Sequence, residues 1–146
     1  GYIEEAFLAY RTERYNIKGK DVIAGNCKYY LNDLSFKNFL YPGFSYGVGY
    51  LLENAVYLEL RQSGYFVYVG SIRDKEVDFV AMKDDRVIYL QTTYMLETEQ
   101  TIEREYSPLL SINDNYEKYV VSLDEIQLPS KEGIRHIQVW NLNEIL

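Results

Sequence analysis

The sequence predicts an α/β domain: one mixed central sheet flanked by helices. Three observations predict it. An apolar stripe at helical spacing runs through residues 48–56, three runs between 65 and 93 alternate as strands do, and a second helical stripe near 98–110 precedes two more strand-like runs. From Gly47 on, the order is therefore helix, three strands, helix, strand, strand.

At the amino-terminal end, Ile3, Phe7 and Tyr10 stand at helical spacing. Glu4 and Glu5 sit where negative charge suits a helix start, so a helix is expected over 2–10. Residues 11–33 alternate loosely, with Gly19 and Gly25-Asn26 as turn punctuation, and read as one or two hairpins. A brief helical turn is expected over 35–40, ended by Tyr41-Pro42-Gly43.

The main helix carries Val48, Leu51, Leu52, Ala55 and Val56 on one stripe, and Gly64 stands where a C′ glycine would end it. Glu53 falls beside that stripe, with Gly49, Tyr57 and Leu60. A carboxylate at the edge of an apolar face needs a partner or a metal.

Strands are expected over 65–72, 76–82 and 86–93, with Lys83-Asp84-Asp85 as a tight turn. Strict alternation puts Glu76, Asp78 and Val80 on one side of the second strand, and Val87, Tyr89, Gln91 and Thr93 on one side of the third. Asp78 is thus expected next to Gln91.

Thr98 caps the second helix, whose buried face is read as Ile102, Tyr106, Leu109 and Leu110. Asn113-Asp114-Asn115 then turns the chain into a strand over 119–123, and a last strand is expected over 134–140. His136, in the alternating run IRHIQVW and with no histidine partner, is read as an outward strand residue.

Composition narrows the functions. With 146 residues, 47% hydrophobic and 25% charged, the chain supports one full core, or one core with the remnant of a second unit. Sixteen tyrosines suit half-exposed strands or an interface. A single cysteine, Cys27, excludes an internal disulfide and a cysteine zinc site within one chain, which agrees with a reducing, cytoplasmic setting. The longest uncharged run, residues 38–52, is too short to span a bilayer, so no membrane partner is expected.

The chain opens on Gly1 rather than methionine and reads as an excised piece. Net charge is −7; residues 1–39 hold six basic and five acidic groups and residues 40–146 hold nine and seventeen. The acidic portion is a poor binder of phosphate backbones. Arg11, Arg14, Lys18 and Lys20 form the one local basic run and are the candidates for nucleic-acid contact.

An acid in the first helix, an acid on the second strand and paired polar positions on the third resemble the core of the PD-(D/E)XK, or restriction endonuclease-like, nuclease superfamily. More narrowly, KYYLNDLSFKNFL, GYLLENAVYLEL, KEVDFVA, IYLQTTYM, TIEREYSPLL and DNYEKYVVS together resemble the carboxy-terminal domain of unknown function in a family of prokaryotic AAA-type ATPases. In that family a nucleotide-binding module and a winged-helix region come first. The resemblance therefore implies that residues 1–33 are the remnant of the winged-helix part, a helix plus β-ribbon, and 34–146 the nuclease-like domain.

The resemblance implies a site at Glu53, Asp78, Gln91 and Thr93, with magnesium held by Asp78, Gln91 and the Thr92 carbonyl. Gln91 replaces the second acid and removes a negative charge from the cage, which implies weak or lost metal binding. Thr93 replaces the lysine, so neither water activation nor charge compensation comes from that position. Lys75, Arg104 and Lys118 are candidates for a migrated cation, and Glu76 for a migrated acid.

The expected function is thus a nuclease-like domain without catalysis, serving regulation, assembly or engagement of nucleic acid or protein. The alternatives are a magnesium-dependent nuclease with migrated residues and a pure protein-interaction module. Gly47-Val48-Gly49 lacks the third glycine of a dinucleotide turn, and Gly19-Lys20 lacks the upstream glycine of a phosphate loop. ATP is therefore expected only on the amino-terminal module of the parent, which is the expected partner; oligomerisation is left open.

Overall fold

The computed structural model describes residues 8–35 and 47–146. Seven strands form one mixed sheet: β1 (Ala9–Asn16), β2 (Asp21–Leu31), β3 (Phe66–Ile72), β4 (Lys75–Lys83), β5 (Arg86–Thr92), β6 (Glu117–Ser122) and β7 (Ile134–Gln138). Their order across the sheet is β2-β1-β3-β4-β5-β6-β7. Pairing is antiparallel for β1/β2, β3/β4 and β4/β5, and parallel for β1/β3, β5/β6 and β6/β7. Helix α1 (Val48–Gln62) covers one face and α2 (Glu99–Leu110) the other. A 3-10 turn over Val139–Glu144 follows β7, so the last strand is shorter than the alternation suggested.

The two layers follow from the strands' alternation. Phe79, Leu90 and Val121 pack with Leu52, Val56 and Leu60 of α1. Val80, Tyr89 and Val120 pack with Tyr106 and Leu109 of α2. The helix ends are chemically specified. The Tyr65 N–H reaches the Leu60 carbonyl and the Gly64 N–H the Arg61 carbonyl, with Gly64 at φ +87°, the left-handed closure expected of a C′ glycine. Thr98 caps α2 by accepting the Thr101 N–H. Leu110, expected on the buried face of α2, is instead 40% exposed.

The ribbon at the amino-terminal side departs from expectation. Ala9 and Tyr10 open β1 rather than close a helix, and residues 2–7 of the expected helix lie outside the described residues. So does the turn expected over 35–40, apart from Ser35. The predicted hairpin is present, and β1 continues into the main sheet by pairing with β3 from Arg14↔Val69 to Asn16↔Ser71. Buried Asn54 of α1 ties the end of β2 down. Its Oδ1 accepts the Leu31 N–H at 2.7 Å, and its Nδ2 donates to the Leu31 carbonyl at 2.9 Å.

Strict pairing is interrupted in the β1/β2 ribbon, between Thr12↔Lys28 and Arg14↔Ile23, and again at β4. Tyr68 pairs with Val80, but Gly70 pairs with Val77, so Asp78 and Phe79 together stand against Val69. This bulge corrects the expected grouping of Glu76, Asp78 and Val80: Val77 and Val80 both pack under α2, while Phe79 turns to α1.

Candidate functional site

Helix α1, the bulge of β4 and the end of β2 meet on the α1 side of the sheet. Glu53 Oε1 accepts the Tyr30 hydroxyl at 2.6 Å and the Lys28 ammonium at 3.0 Å. Lys28 Nζ also reaches Glu76 Oε1 at 2.7 Å, and Glu76 Oε2 accepts Arg14 at 2.7 Å. Tyr30 is buried and stacked on Tyr57 at 4.2 Å, so the hydroxyl facing Glu53 is rigidly aimed. The local reason is the ribbon: side chains two apart share a face, so Lys28 and Tyr30 point together toward α1.

Asp78 lies beside this cluster. Its Oδ2 accepts both the N–H and the hydroxyl of Thr92, at 2.8 and 2.9 Å. Burial, and then the Glu53 charge, push the Asp78 carboxyl up to about 7, against the pull of the Thr92 hydrogen bonds and Lys28. The same neighbours act on the cations and on Tyr30. Burial alone would lower Lys28, but Glu76 and Glu53 more than reverse this, and its pKa is raised. Burial alone would raise Glu76, yet Lys28 and Arg14 hold it below the usual carboxylate range. Burial and Glu53 hold the Tyr30 hydroxyl protonated far above its ordinary range.

The residues expected at the site divide between the two layers. Glu53, Glu76 and Asp78 come together. Gln91 does neighbour Asp78 in the sheet and accepts its backbone N–H through Oε1 at 3.2 Å. Its Nε2, however, donates to Glu105 of α2, while the Asp78 carboxylate is bound to Thr92 on the Glu53 side. The side chains of 78 and 91 thus serve opposite layers. Thr93 is buried at the end of β5, its N–H held by the Val121 carbonyl.

The three cations considered as migrants are all engaged elsewhere. Lys75 donates to Ser107 and Ser111, Arg104 pairs with Glu105, and Lys118 binds Asp114. Lys28 takes the position instead, and sequence reasoning missed it; its one available signal was the i, i+2 pair Lys28–Tyr30 on a ribbon next to a helix carrying an acid. Of the basic run, Arg14 is held by Glu76 and the Asn26 carbonyl, and Arg11 pairs with Glu13. Lys18 and Lys20 are exposed in the β1–β2 turn.

As a magnesium cage the expected set does not fit. Gln91 turns to the other layer, the Thr92 N–H and hydroxyl both present hydrogens to Asp78, and an ammonium already stands between Glu53 and Glu76. Among the described residues, no group of three or more Asp, Glu, His or Cys side chains is placed to hold a metal ion. What the cluster offers chemically is a carboxyl that titrates near neutrality beside a permanently charged amine.

A second polar cluster lies under β6 and β7. His136, expected to face outward, is 1% exposed. Its Nδ1 accepts the Leu128 N–H at 2.9 Å, so the ring's own hydrogen is on Nε2, 2.8 Å from Ser122 Oγ. Ser122 Oγ in turn donates to Asp124 at 2.6 Å. The composition matches a serine–histidine–aspartate triad, but the direction is reversed. A histidine that donates to the serine oxygen cannot take its proton, so this is a structural brace. The ribbon-to-loop connections that create it, Leu128 above all, left no period for sequence reading to find.

The fold and site together define an α/β domain with a seven-stranded mixed sheet and a largely buried cluster of carboxylates on one face. An uncharacterized protein of Haemophilus influenzae is similar to it, with 34% identity over 137 residues, which is 94% of this chain and 34% of that protein. The chain therefore spans about a third of the length of the curated relative it matches. No family model matches the chain, and no solved structure matches it. None of the described helices is long and apolar enough to cross a membrane.

Proposed function

We propose that this chain is a restriction endonuclease-like module of a longer AAA-type ATPase, without nuclease activity of its own, that regulates or helps assemble its parent. The observation that carries the reading is the end of β5. Gln91 and Thr93 occupy the sequence positions at which the resemblance implies an acid and a lysine, and the Gln91 side chain, committed to Glu105, faces the layer opposite the Asp78 carboxylate rather than converging with it. The threefold longer relative supports a module within a larger chain. In this reading the ATP site and the main partner lie on the amino-terminal module, in the cytoplasm.

Charge supports the absence of phosphoryl-transfer chemistry. Among the described residues, the cations paired with Glu53 and Glu76 are Lys28 and Arg14, and Asp78 adds a third acid beside them, so the cluster does not attract a phosphodiester. The test is calorimetric titration with manganese, together with cleavage assays on duplex and single-stranded DNA and RNA in magnesium or manganese. Neither heat nor cleavage is expected. Metal-dependent cleavage that disappears in Asp78→Ala would overturn the reading.

One observation favours a nuclease with migrated residues: the Lys28 ammonium stands between Glu53 and Glu76, next to Asp78. On that reading, cleavage is lost in Lys28→Ala and retained in Lys75→Ala.

A further inference from the structure

On the face of the sheet away from the carboxylate cluster, three connections surround a partly open cavity of about 370 Å³. They are the β1–β2 turn, with Ile17, Lys18 and Lys20, the β3–β4 turn, with Ile72 and Arg73, and the α2–β6 connection, with Ile112 and Asn113. Its floor is apolar: Ile17, Ile72 and Ile112 are each no more than 6% exposed and belong to the core beneath α2. Its rim is cationic, and the side chains of Lys18, Lys20 and Arg73 have no hydrogen-bond or ion-pair partner among the described residues.

That arrangement is unusual for this chain. Net charge is −7, and most of the other described cations are already paired with a carboxylate or bound to an oxygen. The one acid in the wall, Asp114, is taken: it accepts the Tyr89 hydroxyl and the Lys118 ammonium. Asp21 and Asp74 flank the cations in sequence but do not line the cavity. Three exposed like charges around one cavity attract an anion. The volume is in the range of small-molecule sites, and an apolar floor below a charged rim suits a ligand with an apolar ring and an anionic end.

We infer that this cavity binds a small organic phosphate, its phosphate groups on Lys18, Lys20 and Arg73 and its ring on the isoleucine floor. Arg73 contributes a fork suited to phosphate oxygens, and the two lysines add point charges. The site lies on the layer opposite Glu53 and Asp78, and it stands independently of the nuclease-like reading.

The test titrates the 146-residue chain with pyrophosphate, ADP, adenosine and a short single-stranded oligonucleotide, by calorimetry and by amide NMR. ADP is expected to bind more tightly than pyrophosphate, and adenosine not measurably. Shifts are expected at residues 17–20, 72–73 and 111–113. The triple variant Lys18→Ala, Lys20→Ala, Arg73→Ala should weaken ADP at least about tenfold, and Arg73→Lys should weaken it less. Because all three side chains are exposed, the thermal unfolding of the triple variant should match the parent's, and the NMR map on the unaltered chain provides a readout independent of folding. The proposal is overturned if ADP and pyrophosphate give no shifts in those segments, or if the triple variant binds equally well. It is also overturned if only the oligonucleotide binds, which would make the cavity part of a nucleic-acid surface.

Discussion

The Glu53–Asp78 cluster and the Ser122–His136 cluster place similar chemistry in opposite conditions. Both bring a carboxylate, a hydroxyl and a nitrogen base or amine into contact beneath a helix or loop. In the second, the donors and acceptors form a closed chain: Leu128 N–H to His136, His136 to Ser122, Ser122 to Asp124, and the Leu96 N–H to Asp124. Burial keeps the histidine neutral by lowering its pKa, against the opposing pull of Asp124. In the first, three carboxylates share two cations, and burial together with the Glu53 charge raises the Asp78 pKa. Burial acts in both clusters; what separates them is that the Glu53 charge adds to burial at Asp78, whereas Asp124 opposes it at His136.

The sharpest way to break that comparison is to cut the brace. His136→Ala should destabilise the fold by about 3–4 kcal/mol, since it empties a buried site and strands the Leu128 N–H. Urea denaturation at pH 7.5 measures it, and a loss below about 1 kcal/mol would remove the structural reading. The neutral histidine also sets a sign. Its folded pKa lies below the ordinary 6.5, so its stabilisation is full above that value and is lost as pH falls toward the folded pKa.

Asp78 has the opposite sign. Its carboxyl is raised from 3.8 to about 7, so the folded state binds more protons between those values and stability falls as pH rises through that window. Asp78→Asn should therefore be more stable than the parent by about 2–4 kcal/mol at pH 8 and nearly equal to it at pH 4. Thermal unfolding at the two pH values measures the difference.

Gly70→Ala probes the bulge that presents Asp78. An added Cβ would stand 2.9 Å from Val77 Cβ and 2.9 Å from Val80 Cγ2, both on β4, and a loss of about 1–3 kcal/mol is expected. If the alanine is accommodated without loss, the two-for-one pairing at Asp78 and Phe79 is not a rigid feature. The smallest effect belongs to Lys28→Met. The ion pairs it removes are only partly exposed, 29% at Lys28, 17% at Glu53 and 38% at Glu76, so a loss of about 1–2 kcal/mol is expected. The Asp78 carboxyl should nevertheless titrate higher, which NMR of its carboxyl carbon would read.

The elements with long, self-consistent periods were legible in advance. The stripe of α1, its Gly64 stop, the β3–β4–β5 succession and the Thr98 cap each declare themselves through residues close in sequence, because hydrogen bonding within a helix or hairpin is a local matter. The pairing of Asp78 with Glu53 was half legible, since both lie on such elements. The amino-terminal ribbon was legible as a hairpin only from residue 11 on. Ile3, Phe7 and Tyr10 fit a helical spacing, while Ala9 and Tyr10 are held as strand by Leu31 and Tyr30 of β2, and only Arg14–Asn16 reach β3.

By itself, then, the sequence determined the α/β class, the main helices and the acids at positions 53 and 78. Tertiary structure decided which cation stands beside them, which way Gln91 and His136 face, and which three turns meet around the basic cavity. The physical reason is range. Local hydrogen bonding and apolar periodicity act within a few residues, whereas one bulged residue or one parallel pairing reassigns side chains to a different layer, and neither leaves a repeating mark along the chain.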